Sequence, residues 1–272
     1  MKIFNSPTKL QLWCRQRSRE GKLIALVPTM GYLHEGHLSL IKRAKQKGAD
    51  EIVVSIFVNP VQFCPGEDYE KYPRDEKADL EKCRAAGATA VFLPTPKTMY
   101  LDHHSVYVVE EELSLGYCGA RRPGHFRDVC TVVAKLFNIV RPDIAVFGQK
   151  DYQQAMVIKR MVRDLNFGIK IDVAPIVRES SGLAKSSRNT YLSDEERKRA
   201  SVISAALKDA KAGRLTSVAE IKRAISKAGL KVDYVECVDA QSLVKRRKIE
   251  KGSAILVAAW CGKTRLLDNC KV

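Results

Sequence analysis

The stretch Pro28-Thr29-Met30-Gly31-Tyr32-Leu33-His34-Glu35-Gly36-His37 constrains this chain most. An apolar run, Leu23 to Val27, enters it, and a segment with Leu38, Ile41 and Ala44 on one side leaves it. That order predicts a strand, a tight loop and a helix. Gly31 and Gly36 let backbone approach a ligand where a Cβ would obstruct it. A helix start offers unpaired N–H groups and a partial positive charge, so it attracts phosphate. His34 and His37, three residues apart, share a face there. The stretch reads as a nucleotide phosphate cradle with two imidazoles aimed into it. A metal pair fits less well, because zinc usually takes three or four protein ligands. The remaining histidines, His103, His104 and His125, have no cysteine or carboxylate at metal-motif spacing.

The rest of the chain repeats the alternation. Glu51–Val58 is apolar and β-branched, as suits a parallel strand buried on both faces. It ends at Asn59-Pro60-Val61-Gln62-Phe63, where proline stops the ladder. A polar loop, Cys64 to Tyr72, leads to a helix over Asp75–Ala86, closed by Gly87, and to a strand over Ala88–Leu93. A short strand is expected at Val106–Val109. The charged loop Arg121–Asp128 precedes a helix from Val129 to Val140. A strand at Ile144–Phe147 opens through Gly148-Gln149-Lys150-Asp151 into another helix, and Ile169–Ala174 is the last strand of this half. Strands alternating with helices predict an α/β fold with a doubly wound parallel sheet.

After about Val177 the pattern changes. Arg178–Gly182 reads as a linker. Ser193 caps one long helix to Ala212, Thr216 caps a second, and three strands follow with connections too short for parallel crossovers. The expected division is therefore residues 1–177, a parallel-sheet domain, and 178–272, a small α+β domain with an antiparallel sheet.

Charge narrows the ligand class. With 47 Lys and Arg against 31 Asp and Glu, the formal net charge is +16, a field that favours anions. No apolar run approaches the ~20 residues that a membrane helix needs, and the start has no signal-peptide pattern, so a cytoplasmic location is expected. The eight cysteines form no CxxC pair and read as free thiols. The run Lys245-Arg246-Arg247-Lys248 offers a nucleic-acid reading, but no aromatic-rich RNA motif or DNA-reading element accompanies it. No nucleic-acid partner is expected.

Ligands of open parallel sheets bind at the carboxyl ends of strands. Four polar clusters are expected at such ends: Pro28–His37, Asn59–Gln62, Gly148–Gln154 and Val177–Asn189. Lys150 can lay its ammonium on phosphate oxygens. Gln62 and Gln154 suit a carboxylate or hydroxyl held in one orientation. Lys185-Ser186-Ser187-Arg188-Asn189 combines hydroxyls with an arginine fork, which suits a triphosphate.

PTMGYLHEGH resembles the HxGH-type signature of the nucleotidylyltransferase superfamily, and KSSRN is similar to its KMSKS-like loop. VSIFVNPVQF, RPGHFRDVCTVVAKLFNIVRPDIAVFGQKDYQQ and IVRESSGLAKSSRNTYLS narrow the resemblance to the pantothenate synthetase (pantoate–β-alanine ligase) family, over essentially the whole chain. The resemblance implies a Rossmann-like first domain and a C-terminal domain closing over the active site. It implies ATP, pantoate and β-alanine as substrates, Mg²⁺ as cofactor, and a homodimer. It implies a pantoyl adenylate, formed with release of pyrophosphate, then attacked by the β-alanine amine with release of AMP.

By matching position, ATP would be held by Met30, Gly31, Tyr32, Leu33, His34, Glu35, Gly36 and His37. Gly148, Gln149, Lys150, Asp151, Val177, Lys185, Ser186, Ser187 and Arg188 would complete its set. His37 would be the proton donor, with His34, Lys150, Ser187 and Arg188 as its catalytic partners. Gln62 and Gln154 would hold pantoate; Gln62 and Asn59 would hold β-alanine. No residue is expected to hold a metal by itself. Tyr32 stands where the family often has a small residue, and Lys185 where it often has Met or Leu. Another nucleotidyl transferase is the alternative enzyme: it would keep the nucleotide on its product, where a ligase releases AMP. The acyl adenylate needs shelter from water, and the loop Cys64–Tyr72 is the expected lid.

Overall fold

The computed structural model describes residues 1–272. Its elements run β1 (Lys2–Phe4), α1 (Pro7–Arg19), β2 (Ile24–Thr29), α2 (Glu35–Gln46), β3 (Glu51–Ile56), α3 (Glu76–Ala86), β4 (Ala90–Phe92), α4 (Pro96–Met99), α5 (Tyr117–Arg121), α6 (His125–Val140), β5 (Ile144–Gly148), α7 (Tyr152–Asp164) and β6 (Lys170–Ala174). Then come α8 (Asp194–Ala200), α9 (Val202–Lys211), α10 (Val218–Lys227), β7 (Lys231–Asp239), β8 (Ser253–Cys261) and β9 (Thr264–Lys271). The chain divides into two compact units. The first is Met1–Gly148 with Val157–Ala174, and the second is Gln149–Met156 with Pro175–Val272.

The first unit is built on a six-stranded parallel sheet of order β1-β4-β3-β2-β5-β6. Both faces of its central strands are dry, as parallel crossovers require. Ala25 and Val27 of β2 enter one core with Ile41 of α2 and Cys83 of α3, while Ile24 and Leu26 are equally buried on the other side. The chain runs outward to β4 on one side of β2 and to β5 and β6 on the other, so the order reverses between β2 and β5. Their carboxyl ends carry Met30 and Gly148, where an open sheet binds its ligand.

The second unit holds a three-stranded antiparallel sheet, β7-β8-β9, with α9 and α10. Ile203, Leu207, Ile221 and Ile225 pack on Val235, Ile255 and Val257 in a separate core.

Several local expectations need correction. The N-terminal β1 is too short to show any period, yet it pairs with β4 in register Ile3↔Val91. The expected strand Val106–Val109 does not form and has no backbone partner in the chain; only the Val108 N–H is taken, by Thr131 Oγ1 at 3.0 Å. The long helix expected after Ser193 is interrupted at Ser201, whose hydroxyl donates to the Lys198 carbonyl at 2.7 Å and competes with the helix ladder. The cap of α10 is Ser217; Thr216 instead donates to Glu220, its backbone N–H at 2.7 Å and its hydroxyl at 3.3 Å. The helix after the Arg121–Asp128 loop starts at His125 rather than Val129. Arg178–Gly182 is no slack linker: Arg178 bridges Ala184, and the Glu179 N–H donates to the Leu183 carbonyl.

Candidate active site

In the first unit the loop after β2 is fastened at every turn. Thr29 Oγ1 donates to the Ser55 carbonyl and accepts from the Gly31 N–H. Gly31 sits at φ +80°, and a Cβ there would lie 2.9 Å from Ile56 Cγ2 and 3.0 Å from Asp79 Oδ2, so no other residue fits. Tyr32 follows at φ +51°, a left-handed conformation that costs a non-glycine residue about 1 to 2 kcal/mol. Asp79 of α3 offsets that strain. Its carboxylate, 1 % exposed, accepts the Tyr32 and Leu33 N–H groups at 2.7 Å each. Burial raises the Asp79 carboxyl above its ordinary range, against the pull of those two bonds. Lys82, also on α3, donates to the Leu33 carbonyl at 2.8 Å. No sequence motif points to Asp79 or Lys82; only a contact between residues 46 to 49 positions apart reveals them.

The histidines form a reciprocal cap at the start of α2. His34 is the N-cap; its Nδ1 accepts the Gly36 N–H at 3.1 Å, and His37 Nδ1 accepts the His34 N–H at 3.3 Å. The rings stack with centroids 4.0 Å apart. An Nδ1 that accepts carries no proton, so each neutral ring carries it on Nε2. The cap thus fixes both rings as Nε2 donors at a helix N-terminus. Glu35 is exposed beside them, and Gly36 is half-buried.

Behind this loop, Gln62 Nε2 lies 2.9 Å from Met30 Sδ, and Asn59 Nδ2 donates to Gln62 Oε1 at 3.2 Å. Asn59 is 1 % exposed, with the Tyr100 hydroxyl beside its side chain, and its Oδ1 is a buried acceptor with no partner at hydrogen-bond distance. Such an atom carries a desolvation cost that an incoming donor relieves. The Gln62 backbone is held too. His125 Nδ1 donates to its carbonyl at 2.8 Å, which leaves Nε2 to accept from Arg122 Nη1 at 2.7 Å. Arg122 also grips Glu67 bidentately, at 2.5 and 2.6 Å. The sequence marks Arg121–Asp128 as a charged loop without assigning roles; the Arg-Pro-Gly-His order there is the available signal.

The second unit gathers the other residues. Gln149, Lys150 and Asp151 form a 3₁₀ turn before α7, and Lys150 Nζ lies 3.5 Å from Asp151 Oδ1. Gln154 is half-buried in the first turn of α7. Val177 accepts the Lys185 N–H at 2.9 Å, so it opens a strap that closes onto the basic loop. Ser186 caps the turn Ser187–Tyr191 by accepting the Arg188 N–H. Ser187 is buried and Arg188 half-buried. Asn189 donates to Glu179 at 2.8 Å and to the Ala184 carbonyl at 3.0 Å, and Arg197 secures Glu179 and the Asn189 carbonyl. The basic loop Lys185–Asn189 is stapled to the segment before it and to Arg197.

Comparison with known proteins identifies this arrangement. The pantoate-beta-alanine ligase family model matches residues 2–271. The chain belongs to the pantoate–β-alanine ligase family. It is 51 % identical over 277 residues to the pantothenate synthetase of Clostridium acetobutylicum, covering 99 % of this chain and 98 % of that one. The Myxococcus xanthus pantothenate synthetase is 51 % identical over 280 residues, covering 99 % and 96 %. Among solved structures, the Thermus thermophilus pantothenate synthetase superposes with a TM-score of 0.92 at 42 % identity, covering 100 % of this chain and 99 % of that one. The Francisella tularensis pantoate-beta-alanine ligase, solved in complex with beta-gamma ATP and beta-alanine, gives 0.86 at 34 % identity, covering 100 % and 97 %. The chain is thus a ligase with the family's fold. Met30, Asn59 and Gln62 are in contact within the first unit, and Gln149–Asp151, Gln154, Val177 and Lys185–Arg188 belong to the second.

Proposed function

We propose that the protein joins pantoate and β-alanine to give pantothenate at the expense of ATP, through a pantoyl adenylate, releasing pyrophosphate and then AMP. The observation that carries this reading is the reciprocal histidine cap, which fixes two Nε2 donors at a helix N-terminus. Family membership supplies the substrates, and ATP with β-alanine in the Francisella relative supports them.

The residues suit the steps. The pantoate carboxylate attacks the α-phosphorus of ATP, and charge builds on the five-coordinate phosphorus and on the leaving pyrophosphate. His34 and His37 donate to those oxygens, His37 acting as proton donor, while Lys150 and Arg188 meet the phosphates as cations and Ser187 as a hydroxyl donor. Met30 to His37, Gly148 to Asp151, Val177 and Lys185 to Arg188 form the ATP set. No covalent nucleophile is needed, since positioning and electrostatics lower the barrier. Gln62 and Gln154 orient pantoate. Asn59 Oδ1, the buried acceptor without a partner, takes the β-alanine ammonium, with Gln62 beside it. The ammonium first loses a proton to solvent; attack by the resulting amine at the acyl carbon then expels AMP, and the second proton lost from nitrogen leaves the amide neutral.

Mg²⁺ would be held chiefly through the triphosphate. Such an ion asks for oxygen donors, usually phosphates plus one or two carboxylates; the exposed Asp151 beside Lys150 is the carboxylate of the set that suits it. Bound there, the ion would supply charge neutralisation toward the leaving pyrophosphate. The family reading also makes the enzyme a cytoplasmic homodimer.

The test is pantoate-dependent exchange of labelled pyrophosphate into ATP without β-alanine. Exchange is expected in the wild type, and His37→Ala should lose roughly 100-fold or more, the scale of removing one preorganised donor. Exchange independent of pantoate would reject the adenylate. A nucleotide retained on the product would favour the nucleotidyl transferase.

A further inference from the structure

We infer that Asn269, on the last strand of the chain, is a positioning residue for Lys150, and that it works by holding the backbone of the lysine turn. This rests on the reading above that Lys150 acts on ATP.

The geometry lies wholly within the second unit. Asn269 is 2 % exposed on β9. Its Nδ2 donates to the carbonyls of Gln149 at 2.9 Å and Lys150 at 3.0 Å, and its Oδ1 accepts from Gln149 Nε2 at 3.1 Å. Two donations and one acceptance from one small group require a carboxamide; a carboxylate has no donor to offer, and a hydroxyl has one. The turn is pinned at one more point, where the Tyr152 hydroxyl donates to the Ala240 carbonyl at 2.7 Å. Fixing the Lys150 carbonyl fixes its Cα, and only the side chain's own torsions remain for the ammonium to search.

The neighbouring position does the same for the other basic loop. Successive side chains of a strand point to opposite sides, and Asp268 takes Arg178 bidentately at 2.7 and 2.9 Å. Arg178 follows Val177, whose carbonyl receives the Lys185 N–H. Adjacent residues of one strand therefore tie down the segments carrying Lys150 and Lys185–Arg188. Nothing in the family signatures marks this role, because Asn269 lies 119 residues beyond Lys150.

The test uses the full-length enzyme and pyrophosphate exchange. Asn269→Asp is isosteric but turns an acceptor toward two carbonyls; Asn269→Ala removes the donor without repulsion and serves if the first variant folds poorly. Each is measured alone and combined with Lys150→Ala, with kcat scaled to the fraction folded by circular dichroism. The expected loss is about 10- to 100-fold in kcat, the scale of a misplacement near 1 Å, with the KM for pantoate within about twofold. In the Lys150→Ala background the same change should add less than about threefold, because residues that act as a unit are not additive. Wild-type kcat in both Asn269 variants, or losses that multiply with Lys150→Ala, overturns the inference. A normal rate for Lys150→Ala alone would overturn the role of Lys150 instead, which separates the two failures.

Discussion

At the residue scale, one buried carboxylate decides whether the first phosphate loop keeps its shape. Asp79 accepts the N–H groups of Tyr32 and Leu33, and one of those residues is held at positive φ. Asp79→Asn keeps the shape but turns an NH₂ toward one of the two donors, leaving a buried N–H unsatisfied at about 1 to 3 kcal/mol. Tyr32 is then free to leave its left-handed conformation, and the histidine cap downstream loses its anchor. The expected outcome is a fall of about tenfold or more in kcat/KM for ATP, measured by pyrophosphate exchange; an unchanged value would show that the cap orders itself. The variant also has a pH signature. Because burial raises this carboxyl in the folded state, the protonated form is favoured there. Its contribution to stability is full below the unfolded pKa and is lost as pH rises through the folded one. The Tm of wild type minus that of Asp79→Asn should therefore decline as pH rises across that interval, and a rising difference would contradict the assignment.

At the scale of elements, the loop Cys64–Tyr72 is where a lid was expected, and the Arg122–Glu67 ion pair is one of the contacts that hold it, beside the Arg74 hydrogen bonds to the Tyr69 and Tyr72 carbonyls. Burial works to raise the Glu67 carboxyl, but the Arg122 hydrogen bonds and charge outweigh it and bring it below the usual range. Glu67 also accepts the Cys64 N–H at 3.1 Å. Phe63 meets Tyr69 and Tyr72 edge-on, a hinge of aromatic contacts under the loop. Glu67→Gln weakens a charged pair worth about 1.5 to 3 kcal/mol, so local opening should rise roughly tenfold or more. Cys64 reports on it. Cys14, Cys83 and Cys130 are pushed up to about 12 by burial, and Cys270 to about 11, so they stay silent toward a thiol reagent near neutral pH. Faster modification of Cys64 in Glu67→Gln, and slower modification of wild type with ATP plus pantoate, is the expected pair of results; rates unmoved by either change would remove the lid.

The same elements explain what the sequence could reveal. The strand-loop-helix of residues 23–47 and the buried run of β3 were legible because period, glycine and cap chemistry are local. Asp79, Arg122, His125 and Asn269 were not, because each acts through a partner tens of positions away, and a lone Asp or Asn in a helix or strand carries no pattern. The break at Ser201 also escaped notice, since one hydroxyl bonding back to a carbonyl leaves hydrophobic spacing untouched.

At the scale of the molecule, the homodimer proposed above can be tested on one surface. The backbone of residues 105–109 forms no regular element, and apart from the Val108 N–H it has no hydrogen-bond partner in the chain. Leu101, Val106, Val109 and Leu115 are exposed around it. An unpaired segment lined with valines invites pairing with another chain, and the strand expected at Val106–Val109 would form if a second copy supplied the partner. The net charge of +16 opposes self-association at long range, so such a dimer would have to be held by apolar contact and backbone pairing, and added salt should strengthen it. Wild type should sediment at about twice the chain mass of 30.4 kDa. Val106→Lys with Val109→Lys places four cations on the paired edge and should sediment as a monomer with an unchanged circular dichroism spectrum. A dimer that survives both substitutions would place the contact on another face, and a wild type that is monomeric at every salt concentration would end the homodimer reading.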